Sequence, residues 1–198
     1  MDIVSRVQGI ILKPKEEWAK IKEEKISFSQ LFTSYAMILA AIPAVAHFIG
    51  QAMVGRNVPF VGWYRIGIGT ALLYGIFSYV FSLVIVYVLG IIINALAPTF
   101  SSTSDMNNAM KLSVYSMTPV WLAGVLYIIP FLGWLAIIAG LYSVYILYLG
   151  FAAPMMDTPK EKELSYFIVS LIAGFVLMVV VGIVLGAIFA LGGAVRAL

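Results

Sequence analysis

The longest uncharged stretch of this chain is the feature that most limits what it can fold into. It runs from Leu112 to Met156 and holds 45 residues without a single Asp, Glu, Lys, Arg or His. As one helix rising ~1.5 Å per residue it would extend roughly 67 Å, more than twice the ~30 Å hydrocarbon core of a bilayer. The stretch must therefore fold back on itself. Pro130 and Gly133 predict the position of the turn, so we expect a helical hairpin buried in lipid.

The overall composition is typical of an integral membrane protein. Of 198 residues, 63% are hydrophobic and 11% are charged, and the mean hydropathy is +1.05. These values lie far outside the range of soluble globular domains. The absence of Cys excludes disulfides, thiol catalysis and Cys-ligated metals. Six of the twelve basic residues lie in the first 25 positions among four Glu and one Asp, a mixed-sign surface that suits a membrane face better than a nucleic acid.

The uncharged segments predict an all-α, polytopic fold with five transmembrane helices. Residues 1–25 are expected to form a separate helical segment, and residues 26–198 the transmembrane domain. Pro43 should kink or loosen the first span. The second span exceeds a flat bilayer core, so it should tilt or protrude. The expected spans are residues 28–54, 66–97, 112–129, 132–153 and 165–191.

The first 25 residues predict two short helices at the membrane surface. Apolar residues recur at helical spacing from Ile3 to Ile11, which indicates an amphipathic helix. A second helix should begin at Pro14 and carry a narrow apolar stripe beside lysines. We expect this stripe to dock on lipid headgroups or on a partner, with its indole at headgroup level. In the alternative, the helix is solvated and its Trp packs on the nearest span. The proposed docking residues are Pro14, Trp18, Lys20, Ile21 and Lys22.

The distribution of basic residues predicts the orientation. Five spans place the termini on opposite sides of the membrane. With the amino terminus cytoplasmic, nine Lys and Arg residues face the cytoplasm and three face outwards. The positive-inside rule therefore favours a cytoplasmic amino terminus and an external carboxyl terminus.

Several segments resemble the Yip family of multi-pass membrane proteins, named for partners of Ypt/Rab GTPases, and in particular its compact prokaryotic branch. The resemblance runs from about Ile11 to Leu191 and implies five spans, a cytoplasmic amino terminus and a short external carboxyl terminus. The Asp-Leu-Tyr-Gly-Pro motif of the eukaryotic members is missing, and their Gly-Tyr pair appears as Val114-Tyr115. These departures argue against a Rab-like GTPase partner and favour the plasma membrane of a prokaryote. The matching segments are ILKPKEEWAKIKEE, AAIPAVAHFIG, YSMTPVWLAGVL, LGWLAIIAGLYSVYILYLGFAAPMM and DTPKEKE.

The search for catalytic or transport chemistry finds few candidates. None of the five spans contains Asp, Glu, Lys or Arg, whereas ion-coupled carriers usually keep ionisable groups at membrane depth. His47 could serve as a proton or metal site, but a single His without nearby partners favours a structural role. One His also leaves little scope for a Ser-His-Asp set. The sequence therefore predicts no enzyme activity and no cofactor.

Uncharged polar side chains within the spans form a second group of candidates. Asn94 needs a hydrogen-bond partner, either as a bond between helices or in a small polar cavity. Tyr142, Tyr145 and Tyr148 recur every three residues and could form a hydrogen-bonding row with Ser116 and Thr118. Alternatively, they belong to an aromatic belt at the interface. The proposed polar residues of the membrane interior are His47, Asn94, Tyr115, Tyr142 and Tyr145.

Small residues repeat every four positions in two spans. Such faces let helix backbones approach closely where water supplies no driving force. In the second span they are Gly67, Ala71 and Gly75. In the fifth span they are Gly182, Gly186, Ala190 and Ala194, and we expect the first three to pack against another helix.

These patterns favour a non-catalytic adaptor or scaffold embedded in the membrane. Its partners would be membrane lipids and other membrane proteins, including further copies of itself. The alternative is a small transporter, channel or lipid-moving protein. Its pathway would lie near Pro43 and the hairpin of the third and fourth spans.

Overall fold

Helices make up nearly all of the secondary structure, as the composition predicts. The computed structural model describes residues 2–58, 62–152 and 155–194. The α-helices are α1 (Ile3–Leu12), α2 (Pro14–Glu23), α3 (Phe28–Leu31), α4 (Met37–Ile49), α5 (Ile68–Leu96), α6 (Met106–Ser116), α7 (Thr118–Ala123), α8 (Ala136–Ala152) and α9 (Lys160–Ala194). Strands β1 (Arg56–Val58) and β2 (Gly62–Tyr64) form an antiparallel pair in which Asn57 lies opposite Trp63. Wider π-helical turns span Phe32–Ala36 and Gly50–Val54, and 3-10 turns span Ala97–Phe100, Gly124–Ile128 and Pro130–Leu135.

Four helical segments in the described residues are long and apolar enough to cross a membrane. The prediction of an all-α membrane protein is confirmed, while the count of five crossings is approximate. The expected third span is divided among α6, α7 and a 3-10 turn. Pro119 lies in the first turn of α7 and has no backbone N–H to continue the helix from α6. The four segments are Phe28–Val54, Ile68–Phe100, Pro130–Ala152 and Lys160–Phe189.

Pro43 does not divide the first span. It lies inside α4, and the departures from α-helical geometry are the π-helical turns on either side of that helix. Pro43 also lies in close contact with Gly124, which follows α7 in the expected third span. A Cβ added at Gly124 would lie 2.8 Å from the Pro43 Cα. Gly124 thus lets the two backbones meet at the proline.

The long helix α5 is held by partners on two sides. The indole Nε1 of Trp121 donates to Ser82 Oγ at 3.0 Å, which ties α7 to α5. On the other side, the Tyr166 hydroxyl of α9 donates to the Ile93 carbonyl. These bonds tie the middle of α5 to α7 and its last turns to α9.

The connections after α5 and α8 meet at the end of the bundle where α1 and α2 lie. Ser102 Oγ donates to Thr158 Oγ1 at 2.8 Å, and Lys22 Nζ is 2.5 Å from Asp157 Oδ1. We call this the amino-terminal end. The strand pair and the turn at Pro130 lie at the opposite end, which follows from the lengths and directions of α4, α5 and α8.

Candidate interaction site at the amino-terminal helices

Helices α1 and α2 form a hairpin, here called the amino-terminal hairpin, that packs on the rest of the protein. Its sequence gives it two faces. Pro14 lies in the first turn of α2, Glu16 and Glu17 also lie in that turn, and Lys20 and Lys22 lie in the last turn, as predicted. One side of α2 is buried and the other is exposed.

Trp18 anchors this hairpin inside the protein. Its side chain is 1% exposed, and its Nε1 donates to the Ile146 carbonyl of α8 at 3.0 Å. Gly150 makes room for the indole, because a Cβ there would lie 2.8 Å from Trp18 Cζ2. Ile21 is fully buried as well. The apolar stripe therefore faces α8, so Trp18 packs on the nearest span rather than on lipid.

Charged side chains between the two helices form a compact group, here called the ion cluster: Arg6, Glu17, Lys20 and Glu24. Arg6 contacts Glu17 at 2.6 Å and Glu24 at 2.8 Å through its two terminal nitrogens. Lys20 contacts the second oxygen of Glu17 at 3.0 Å. Because the Arg6 and Glu17 side chains are about nine-tenths buried, these contacts compensate for the loss of hydration.

Tyr115 connects the ion cluster to the transmembrane part. Its hydroxyl donates to Glu24 at 3.3 Å, and the Arg6 guanidinium lies 5.4 Å from its ring centroid. Tyr35 packs edge-on against it at 4.9 Å and hydrogen-bonds Thr118 at 2.8 Å. The sequence singled out Tyr115, but it gave no signal that Tyr35 of the first span would be its neighbour.

Lys111 fixes the chain where α2 ends. Its ammonium donates to the carbonyls of Ile21 at 2.9 Å and Glu24 at 2.7 Å. The residue is 2% exposed, and this burial lowers the pKa of Lys111 although Glu24 and Asp105 raise it. A cation at the negative end of a helix dipole is favourable. Lys111 therefore acts as the carboxyl-terminal cap of α2.

The polar residues predicted for the membrane interior do not form one cluster, although the rings of Tyr142 and Tyr145 lie 5.8 Å apart. His47 stacks on Tyr127 at 4.2 Å and meets Tyr74 edge-on at 5.6 Å. The Asn94 amide oxygen is buried with no hydrogen-bond partner among the described residues. No group of three or more His, Cys, Asp or Glu that could hold a metal exists in the described ranges.

The tyrosines of α8 differ in their surroundings. Tyr142 donates to the Ile11 carbonyl at 2.7 Å and so binds the amino-terminal hairpin. Its expected partners lie elsewhere, since Thr118 bonds Tyr35 and Ser116 Oγ has no partner in the described part of the chain. Tyr145 is exposed, and its place in an aromatic belt stays a prediction.

Two small residues of α9, Gly182 and Gly186, face open space in the structure. A Cβ added at Gly182 or Gly186 would meet no atom within 4 Å. The side chain of Ala190 lies outside the described residues. In α5, by contrast, Gly75 lies close to α4. Packing of Gly182, Gly186 and Ala190 against another helix thus stays a prediction.

Comparison with known proteins assigns the family. The Yip1 domain family model matches residues 9–196. The inner membrane protein YohC of Escherichia coli K12 is 29% identical over 167 residues, covering 82% of this chain and 85% of YohC. YohC of E. coli O6:H1 matches equally well. No solved structure matches the chain. The chain therefore belongs to the Yip1 domain family of membrane proteins.

Proposed function

We propose that this protein is a non-catalytic adaptor of a prokaryotic inner membrane, and that it binds partners through the exposed side of α2. The observation that carries the proposal is the two-sided character of that helix. Its buried side is fixed by Trp18 and the ion cluster, so the exposed side keeps a constant position relative to the bundle. That side consists of Lys15, Glu16, Ala19, Lys20 and Glu23.

The distribution of charge supports binding over transport. The predicted spans hold no Asp, Glu, Lys or Arg, so a coupled carrier would lack its usual ionisable groups. The exposed side of α2, by contrast, carries both signs of charge in a fixed pattern. Such patterns give specificity and orientation to protein contacts. The partner would be a membrane protein with a complementary cytoplasmic surface.

A charge exchange on α2 tests the proposal. Lys15→Glu combined with Glu23→Lys exchanges the charges at the two ends of the exposed side and keeps the net charge. Cross-linking in native membranes, followed by identification of the captured proteins, should recover a partner with the wild type and at least about tenfold less with the exchanged variant. Membrane abundance and thermal stability should stay unchanged because both side chains are exposed.

The transport alternative predicts a different result. His47→Ala or Asn94→Leu should then abolish a saturable flux of solute or ion from liposomes that contain the purified protein, while the α2 exchange should have no effect. The adaptor proposal would be refuted if such a flux were measured and the α2 exchange left the amount of captured partner unchanged.

A further inference from the structure

An apolar groove runs between α4 and α5 within the membrane-spanning part. Its cavity volume is about 250 Å³. The floor is closed where Gly75 approaches α4, since a Cβ there would lie 3.3 Å from the Ala44 carbonyl oxygen. The walls come from Ala41 and Phe48 on one side and from Leu72 and Tyr79 on the other.

The size of the groove limits what can fill it. The volume is about eight times the ~30 Å³ share of one water molecule. It has room for part of one hydrocarbon chain but not for a helix 10–12 Å across. Because both helices are candidate membrane spans, the surrounding medium supplies hydrocarbon chains at that depth.

The mouth of the groove near Leu72 lies towards the end of the bundle opposite the amino-terminal hairpin, and Arg65 lies at that same end, before the start of α5. The wall residue Leu72 is four residues after Ile68, about 6 Å of helix rise, and Arg65 is three residues before that start. The Ile66 N–H donates to the Gln51 carbonyl at 3.1 Å, which joins the two helices there. Arg65 itself is exposed.

The neighbouring sequence offers no acidic residue that could pair with Arg65. No Asp or Glu occurs between Glu24 and Asp105, a range that includes both helices and the loop that joins them. The turn near Pro130 is uncharged as well. A negative group next to Arg65 must therefore come from outside this part of the chain, and phosphates of the lipid headgroups lie at the same level.

We infer that the α4–α5 groove binds one anionic phospholipid, with an acyl chain along Gly75 and the phosphate beside Arg65. The apolar groove would hold the acyl chain, and Arg65 would hold the phosphate of the same lipid molecule. The inference is independent of the proposed adaptor function, because it involves the other end of the bundle.

Native mass spectrometry of the full-length protein in detergent tests the site. Phosphatidylglycerol and phosphatidylcholine with identical acyl chains serve as probes. We expect one phosphatidylglycerol to be retained in preference to phosphatidylcholine. Ala41→Leu fills the groove and should lower the retention of both lipids about tenfold, because several buried methylene contacts are lost. Arg65→Gln should lower only phosphatidylglycerol retention, about fivefold.

Matched variants separate this result from general effects. Ala187→Leu makes the same change on the exposed side of α9, and Lys25→Gln removes a cation at the amino-terminal end; both should retain lipid like the wild type. Leu72→Trp narrows the groove from its exposed rim, and should repeat the loss even if Ala41→Leu folds poorly. The site would be refuted if the variants Ala41→Leu, Leu72→Trp and Arg65→Gln retained as much lipid as the wild type. A dimer that Ala41→Leu dissociates would also refute it, since the groove would then hold a helix.

Discussion

At the scale of single residues, Arg6 decides how α1 is held. Its guanidinium bridges Glu17 and Glu24 and lies over the Tyr115 ring. Removing one partner from a buried charged group leaves the others without compensation, which is more costly than replacing the whole group. Arg6 is therefore the side chain on which the fixed position of α1 depends most.

Arg6→Met should destabilise the docked hairpin by on the order of 3 kcal/mol, because Glu17 and Glu24 lose their main cation. Hydrogen exchange in Ile3–Leu12 should rise, and the thermal midpoint in detergent should fall. Lys15→Met removes an exposed cation and should change neither.

The same variant offers a second comparison. Adding Glu17→Gln and Glu24→Gln to Arg6→Met removes the two carboxylates that Arg6 bridged and should restore much of the lost protection against hydrogen exchange. If amide hydrogen exchange in Ile3–Leu12 were equal in the single and triple variants, the ion cluster would not be what holds the hairpin.

Residue spacing predicted which side chains of α2 share a face, but not what that face meets. The stripe with Trp18 and Ile21 is as expected, yet it contacts α8 instead of lipid. The contact joins residues 128 positions apart. A period of 3.6 residues reports amphipathicity and says nothing of such distant partners, which is also why the roles of Glu24 and Tyr35 were missed.

At the scale of elements, local signals worked best at helix ends. The Ser-x-x-Gln spacing at the start of α3 is typical of a capping box, and the structure forms one: Ser27 Oγ accepts from the Gln30 N–H, and the Gln30 side chain accepts from the Ser27 N–H. The break within the third segment was not predicted, because its uncharged run continues through Met117. Hydropathy is averaged over the whole run and so does not register a single break. Pro119 breaks the helix because it lacks one backbone N–H.

Lys111→Met tests how α2 ends. The Ile21 and Glu24 carbonyls would lose a charged donor in a buried place, so the free energy of unfolding should fall by about 2 kcal/mol. Lys162→Met, at an exposed lysine that bonds Ser101, should have a much smaller effect. Thermal unfolding in detergent measures both.

The pH dependence of this effect has a defined sign. Burial lowers the pKa of Lys111 below its ordinary value of 10.5. The unfolded chain then binds more protons than the folded chain between the two values, so the contribution of Lys111 to stability rises with pH in that window. The stability difference between wild type and Lys111→Met should widen as the pH approaches 10.5, and a constant or narrowing difference would contradict this account.

At the scale of the whole molecule, charge and contacts agree on which segments share an end. The bond between Ser102 and Thr158 joins the two connections that the charge count places together with the amino terminus. The direction of this end, towards the cytoplasm, stays a prediction from the positive-inside rule.

Single Cys substitutions can test the orientation, since the chain has no Cys of its own. Thiols at Ser104→Cys and Glu161→Cys should react with an impermeant reagent only after the cytoplasmic side is opened. A thiol at Asn57→Cys should react in intact cells. Labelling of Ser104→Cys from outside would contradict the orientation.

The contact of Trp18 with Ile146 also sets an order of assembly during synthesis. The ribosome releases α1 and α2 before α8, and the carbonyl that accepts from the Trp18 indole is made 128 residues after Trp18. Until α8 is made, the hairpin lacks the partner of Trp18, and its apolar stripe is open to chaperones, proteases or the membrane surface. The amino-terminal hairpin is therefore made well before it can reach its final position.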